Sequence, residues 1–158
     1  MELSSKTSYR LGLIADTHGY LPPEVEELFR GVDLILHAGD IGSANIVHSL
    51  EAIAPVIAVR GNMDNGPWAE ALPHRQSVRT GDMEILLIHD LAHLQPQPPA
   101  GHHTAVVAGH THRSHIERQH GVLYVNPGSA GAPRYGERAS VAILLVSGAA
   151  ATAQIAAF

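Results

Sequence analysis

The chain has 158 residues, 45% of them apolar, with 10 basic and 15 acidic side chains and a net charge of −5. That length suits one domain with its own core, and the apolar share excludes a disordered chain. No long basic run is present, which argues against a dedicated nucleic-acid or membrane-surface binder. Cysteine is absent and histidine occurs 12 times. Disulfides, thiolate metal sites and cysteine nucleophiles are thereby ruled out, and imidazole is left as the main carrier of chemistry.

No run approaches the ~20 apolar residues of a membrane helix. Residues 1–10 lack the apolar core of a signal peptide, so the expectation is a cytoplasmic protein, one domain over residues 1–158. The first strand is predicted at Leu11 to Ala15. Pro22-Pro23 and the carboxylates after them suit a helix start over Glu24 to Phe29. Leu34 to Ala38 predicts a second strand. Ser43 is placed to cap a helix from Ala44 to Ile53, whose Ile46, Val47 and Leu50 share a face. Pro55 to Val59 predicts a third strand, and the alternation implies a parallel sheet with crossover helices. Gln76 to Thr80 and Met83 to Ile88 read as two strands joined at Gly81-Asp82. Pro96, Pro98 and Pro99 mark an irregular loop. Ala105 to Ala108, Glu117 to Gln119 and Val122 to Val125 predict further strands. Ala139 to Val146 and Ala150 to Ala157 predict a final pair, whose apolar edges leave room for a homodimer.

Six of these apolar runs end in polar residues: Asp16-Thr17-His18, Gly39-Asp40, Gly61-Asn62-Met63-Asp64, His89-Asp90, Gly109-His110-Thr111-His112 and Asn126-Pro127-Gly128-Ser129. Ligands in open α/β sheets sit beyond the carboxyl ends of strands, so the six clusters can share one rim. Asp16, His18, Asp40, Asn62, His89, His110 and His112 give two carboxylates, four imidazoles and one carboxamide. This sulfur-free set suits Mn²⁺, Fe, Zn²⁺ or Ni²⁺. Seven ligands exceed one tetrahedral site and fit two divalent ions, with Asp40 as the natural bridge. Two such ions would make a locally cationic site in an acidic protein, suited to an anionic phosphate ester.

Asp-x-His, Gly-Asp, Gly-Asn-x-Asp, His and Gly-His-Thr-His, in this order, resemble the calcineurin-like metallophosphoesterase superfamily. The match is to its small prokaryotic phosphodiesterase branch, which also resembles the retromer scaffold subunit. The resemblance spans Leu11 to Val146. It implies an α/β fold, a four-layer α-β-β-α sandwich of two mixed β-sheets flanked by helices. It also implies a phosphoesterase, most simply a phosphodiesterase, with two divalent ions and Mn²⁺ placed first among them. Asp16, His18, Asp40 and His112 would hold one ion, and Asp40, Asn62, His89 and His110 the other. In the family a bridging hydroxide attacks phosphorus in line, and Asn62 would orient a phosphate oxygen. Asp40, Asn62 and His110 are thus carried as catalytic residues, with Asp64 as a substitute acid.

Two positions depart from the family pattern. Met63 stands where many members have a histidine that meets the phosphate or the leaving group. Asp90 and a Pro-rich loop follow His89, where the branch has glycine and a helix. The expected partner is a small phosphate-ester substrate. The alternatives are a non-catalytic scaffold of the same fold, and a phosphomonoesterase or dinucleoside-polyphosphate phosphatase. Of the other side chains, His37 reads as packed or as a support for the ligands. His48, His74, His93, His102, His103, His115 and His120 read as solvated, with His102-His103 near the pocket rim. Trp68 reads as a packing anchor, and Arg60, Arg113 and Arg134 as surface groups or phosphate contacts.

Overall fold

The computed structural model describes residues 2–3, 6–94 and 103–158. The Pro96–Pro99 loop and His102 lie outside the described residues. Strands β1 (Glu2–Leu3), β2 (Ser8–Ile14), β3 (Leu34–His37), β4 (Val56–Ala58), β5 (Arg75–Thr80) and β6 (Met83–Ile88) occupy the first half. Strands β7 (Ala105–Val107), β8 (His115–Gln119), β9 (Val122–Asn126), β10 (Ser140–Ser147) and β11 (Ala150–Ala157) follow. The helices are α1 (Glu24–Leu28), α2 (Ala44–Glu51) and α3 (Pro67–Glu70), with a 3₁₀ turn at Leu91–His93.

The strands form two mixed sheets, as the family resemblance implies. One has the order β1-β5-β6-β7-β9-β8 and the other β11-β10-β2-β3-β4. Within the five-stranded sheet β2, β3 and β4 run parallel, and within the six-stranded sheet β6, β7 and β9 do. These strands read as unbroken apolar runs because both faces are covered. In β3, Leu34 and Leu36 face the other sheet while Ile35 packs under the helices with Val25, Phe29 and Leu50. In β6, Ile85 and Leu87 join the core between the sheets, and Leu86 and Ile88 pack outward with Leu94, Val106 and Tyr124. Each such fully buried side chain contributes roughly 1.5–3 kcal/mol.

The helices α1 and α2 cover the five-stranded sheet, and Trp68 packs with them as the anchor expected of it. Over the six-stranded sheet the described covering is the 3₁₀ turn, where Asp90 Oδ1 accepts the N–H of Ala92 at 3.0 Å. The short strand β1 and helix α3 carry too little apolar pattern to be read from sequence. No helix among the described residues is long and apolar enough to cross a membrane.

Candidate metal centre

The parallel triplets bring six strand ends to one rim. Asp16 follows β2, Gly39-Asp40 follows β3 and Gly61-Asn62 follows β4. His89 follows β6, Gly109-His110 follows β7, and Ser129 lies past β9. Backbone bonds tie the rim across the two sheets: His110 N–H donates to Asp16 Oδ2 at 3.0 Å, and Ala130 N–H donates to Ala15 O at 3.1 Å. His89 Nδ1–H donates to Ala38 O at 2.7 Å, joining the ends of β6 and β3.

Seven non-glycine residues among those described have positive φ, and five of them are Asp16, His18, Asp40, His110 and His112. A left-handed conformation costs a non-glycine residue about 1–3 kcal/mol, so the turns are held by their surroundings in order to aim these side chains. The rim is also closely packed. A Cβ on Gly61 would lie 2.1 Å from Asp40 N, and one on Gly109 would lie 2.9 Å from Asp16 Oδ2.

All seven expected ligands converge. Asp16, His18 and His112 offer ligand atoms within 4.8 Å of one another, and so do Asp16, Asp40 and His89. The Nε2 atoms of His18 and His112 are 3.2 Å apart, and they lie 3.8 and 3.5 Å from Asp16 Oδ1. Asp40 Oδ2 stands between the two groups, 3.7 Å from His18 Nε2 and 3.4 Å from His89 Nε2. Asn62 Oδ1 lies 2.9 Å from His89 Nε2 and 3.2 Å from His110 Nδ1.

These atoms fit cations. Asp16 is fully buried, and its Oδ1 has no hydrogen-bond donor among the described residues. His112 Nδ1–H donates to Ala132 O at 2.8 Å, and His89 donates from its own Nδ1. Both rings therefore turn Nε2 lone pairs inward in their neutral forms. An acceptor-rich, buried cluster of this kind is costly without positive charge.

The electrostatics separate the two carboxylates. Burial pushes Asp16 up to about 7, against the opposing pull of His89. Burial also raises Asp40, but the His89 bond and the Met63 N–H at 2.8 Å outweigh it and hold the carboxyl below its ordinary range. His89 is opposed by its own burial, yet Asp40 raises it above the usual imidazole value. Burial lowers His112.

Asp64, carried as a substitute acid, is held at both oxygens. Its Oδ1 accepts Gly42 N–H at 3.0 Å, its Oδ2 accepts Gly61 N–H at 2.9 Å, and the residue is 1% exposed. It fastens the β3 and β4 loops together and has no free oxygen with which to protonate a leaving group. Met63 contributes its backbone N–H to Asp40, while the residue as a whole is 61% exposed.

Several supporting residues become visible only in three dimensions. Buried His37 accepts Gly39 N–H on Nδ1 at 3.1 Å, so its Nε2–H donates to Thr17 Oγ1 at 3.0 Å, and Thr17 donates to Ile41 O at 2.7 Å. Ser129 Oγ donates to Asp16 O at 2.8 Å, and Asn126 Nδ2 donates to Gly109 O at 3.0 Å. Asp90 Oδ2 lies 3.5 Å from His110 Nε2. Arg134 is close enough to lower both Asp16 and His112, and Arg113 sits 4.2 Å over the Tyr135 ring. His74 and His93 are exposed, as expected, and also line a cavity beside Asn62 and His89. His48 and His115 lie on the surface beside Glu51 and Glu117, and His103 meets Ser77 Oγ at 2.8 Å. His120 is exposed, at the turn between β8 and β9.

Histidine and carboxylate side chains that could hold metal lie on the carboxyl edges of two facing mixed sheets, in an α/β sandwich. The chain belongs to the calcineurin-like phosphoesterase superfamily, whose domain model matches residues 9–149. It is 34% identical over 160 residues to a probable metallophosphoesterase of Methanothermobacter thermautotrophicus, covering 92% of this chain and 90% of that protein. A solved structure of an archaeal phosphodiesterase superposes with a TM-score of 0.79 at 25% identity, covering 93% of this chain and 99% of that one. Vacuolar protein sorting 29 from Cryptosporidium parvum superposes with a TM-score of 0.75 at 21% identity, covering 97% and 99%. That last likeness is one of fold alone.

Proposed function

We propose that this chain is a metal-dependent phosphodiesterase with a two-ion centre. Asp16, His18, Asp40 and His112 hold one ion, and Asp40, Asn62, His89 and His110 hold the other. The observation that carries this reading is the unpartnered, buried Oδ1 of Asp16 facing His18 and His112, with Asp40 Oδ2 between His18 and His89. Two divalent ions, with Mn²⁺ as the first choice, would lower the pKa of a shared water to make the hydroxide for in-line attack, and would offset the charge on phosphate.

The protein's own residues do the rest. Asn62 can turn its amide N–H₂ to a phosphate oxygen while its Oδ1 faces the imidazoles. His110 is exposed at the mouth of the site. Arg134 adds positive charge near Asp16 and His112. With Met63 in place of a histidine and both Asp64 oxygens engaged, neither of these positions supplies an acid, so good leaving groups are favoured. We further read the cytoplasm as its location and a small phosphate ester as its substrate. Hydrolysis of bis(p-nitrophenyl) phosphate with added Mn²⁺, and its loss in Asp40→Asn, tests this. Absence of turnover with every divalent metal would overturn the reading.

A further inference from the structure

A cavity of about 490 Å³ opens beside the metal centre. Asn62 and His89 form the part of its wall shared with the centre, and Arg60, His74, Arg75 and His93 line it as well. That volume falls within the ~300–1,000 Å³ range of small-molecule sites. The 3₁₀ turn that follows Asp90 supplies His93, so this wall arises where the chain departs from the pattern of its family.

The cavity wall carries two guanidinium groups. Acidic residues outnumber basic ones by 15 to 10. Among the described residues, Arg30 pairs with Glu27 and Lys6 with Asp33. Arg60 and Arg75 instead bond to backbone carbonyls. Arg60 Nε–H donates to Asp64 O at 3.0 Å, and an Arg75 Nη2–H donates to His93 O at 3.4 Å. Neither makes an ion pair with a carboxylate among the described residues. The one carboxylate on the wall is Asp90, and it is engaged by Ala92 N–H and by His110. Backbone bonds hold each guanidinium in place but leave its charge uncompensated. Two guanidinium groups on one wall with two imidazoles suit the charge and hydrogen-bonding chemistry of a phosphate group.

We propose that this cavity is a second anion subsite, and that the substrate is a phosphodiester with an additional phosphate on one arm. The assignment of the scissile phosphate to the metal centre rests on the phosphodiesterase reading; the cavity's selectivity for a second phosphate does not. Arg75 is the residue best suited to a test. It begins strand β5 at the surface, and its side-chain bond among the described residues is to His93 O and not to a candidate metal ligand, so its replacement should leave the fold of the rim in place.

The experiment is calorimetric titration of the Mn²⁺-loaded protein with thymidine 3′,5′-bisphosphate and with thymidine 5′-monophosphate. The wild type should bind the bisphosphate about tenfold or more tightly, the scale of one charge-assisted contact. In Arg75→Gln the ratio should fall toward one, and in Arg75→Glu the bisphosphate should become the weaker ligand. Because both ligands are measured on the same preparation, the ratio is insensitive to the active fraction. Equal affinities in the wild type, no measurable binding of either ligand, or an unchanged ratio in both variants overturns the proposal. Hydrolysis of bis(p-nitrophenyl) phosphate, which carries no second anion, is measured alongside. Selective binding without hydrolysis would leave the subsite standing and remove the enzymatic reading.

Discussion

The Nε2 atoms of His18 and His112 face each other at 3.2 Å in front of the buried, donor-free Oδ1 of Asp16. His112 gives its own proton to Ala132 O from Nδ1, so its inward nitrogen is a lone pair when the ring is neutral. Without a cation, burial keeps Asp16 protonated up to about pH 7. A metal ion needs that oxygen ionised. Metal loading at pH 6 is therefore expected to release at least one proton. Apparent affinity should rise about tenfold per pH unit for each proton released, up to pH 7, then flatten. Calorimetry at pH 6 in buffers of different protonation enthalpy measures the release; loading with no proton released contradicts this account of Asp16.

The same ligands should couple metal to stability. An ion that binds only the folded chain adds about 2.7 kcal/mol at a hundred times its Kd, which for this size is a rise in Tm of about 5–10 °C. Thermal melts with Mn²⁺ and with a chelator should differ by that amount, and the difference should shrink in Asp16→Asn. An equal shift in the variant would mean that the ion binds elsewhere.

His37 gives a pH dependence with a definite sign. Burial holds it near 3 in the folded chain, against an ordinary value of 6.5. Below 6.5 the unfolded chain gains a proton that the folded chain refuses until about pH 3. Stability from this group is thus complete above 6.5 and falls as pH drops, at a limiting slope of about 1.4 kcal/mol per pH unit. His37→Gln loses bonds to Thr17 and Gly39 and should cost about 1–3 kcal/mol at pH 7.5. Its deficit should narrow steadily below pH 6.5. Urea denaturation of the metal-free proteins at pH 7.5, 6 and 5 checks this; parallel curves would contradict it.

The side chain at position 63 should set the leaving-group dependence. Met63 cannot give a proton, and Asp64 is occupied by two N–H groups. Rates across a series of aryl and alkyl methyl phosphates should fall steeply as the leaving-group pKa rises. Met63→His should flatten that slope and raise alkyl-ester hydrolysis about a hundredfold, the scale of one general acid. The same slope in both proteins would show that no acid can act from this position.

Much of the site was legible because its ligands end apolar runs. Strands buried on both faces are almost wholly apolar, so Asp16, Asp40, His89 and His110 stand out within three residues of the ends of β2, β3, β6 and β7. The parallel order of those strands then brings the ends together. What sequence could not separate was the function of residues lying next to one another. Asn62 and Asp64 are two positions apart, yet one faces the imidazoles and the other binds Gly42 and Gly61 through both oxygens. That division depends on how two loops close on each other. The contact between Asp90 and His110 spans two strand ends and leaves no local pattern. The cavity at Arg60 and Arg75 likewise combines residues from the β4 loop, β5 and the 3₁₀ turn.

In the proposed two-ion centre, Asp40 is held in common. The most direct measurement is the metal content of wild type and Asp40→Asn after equilibration with Mn²⁺ and gel filtration, with bis(p-nitrophenyl) phosphate hydrolysis followed on the same samples. The account predicts two ions per wild-type chain. It predicts at least one ion fewer in the variant, and a loss of activity of about a hundredfold or more. Two ions retained by an active Asp40→Asn protein, or a wild type that binds none, would contradict it.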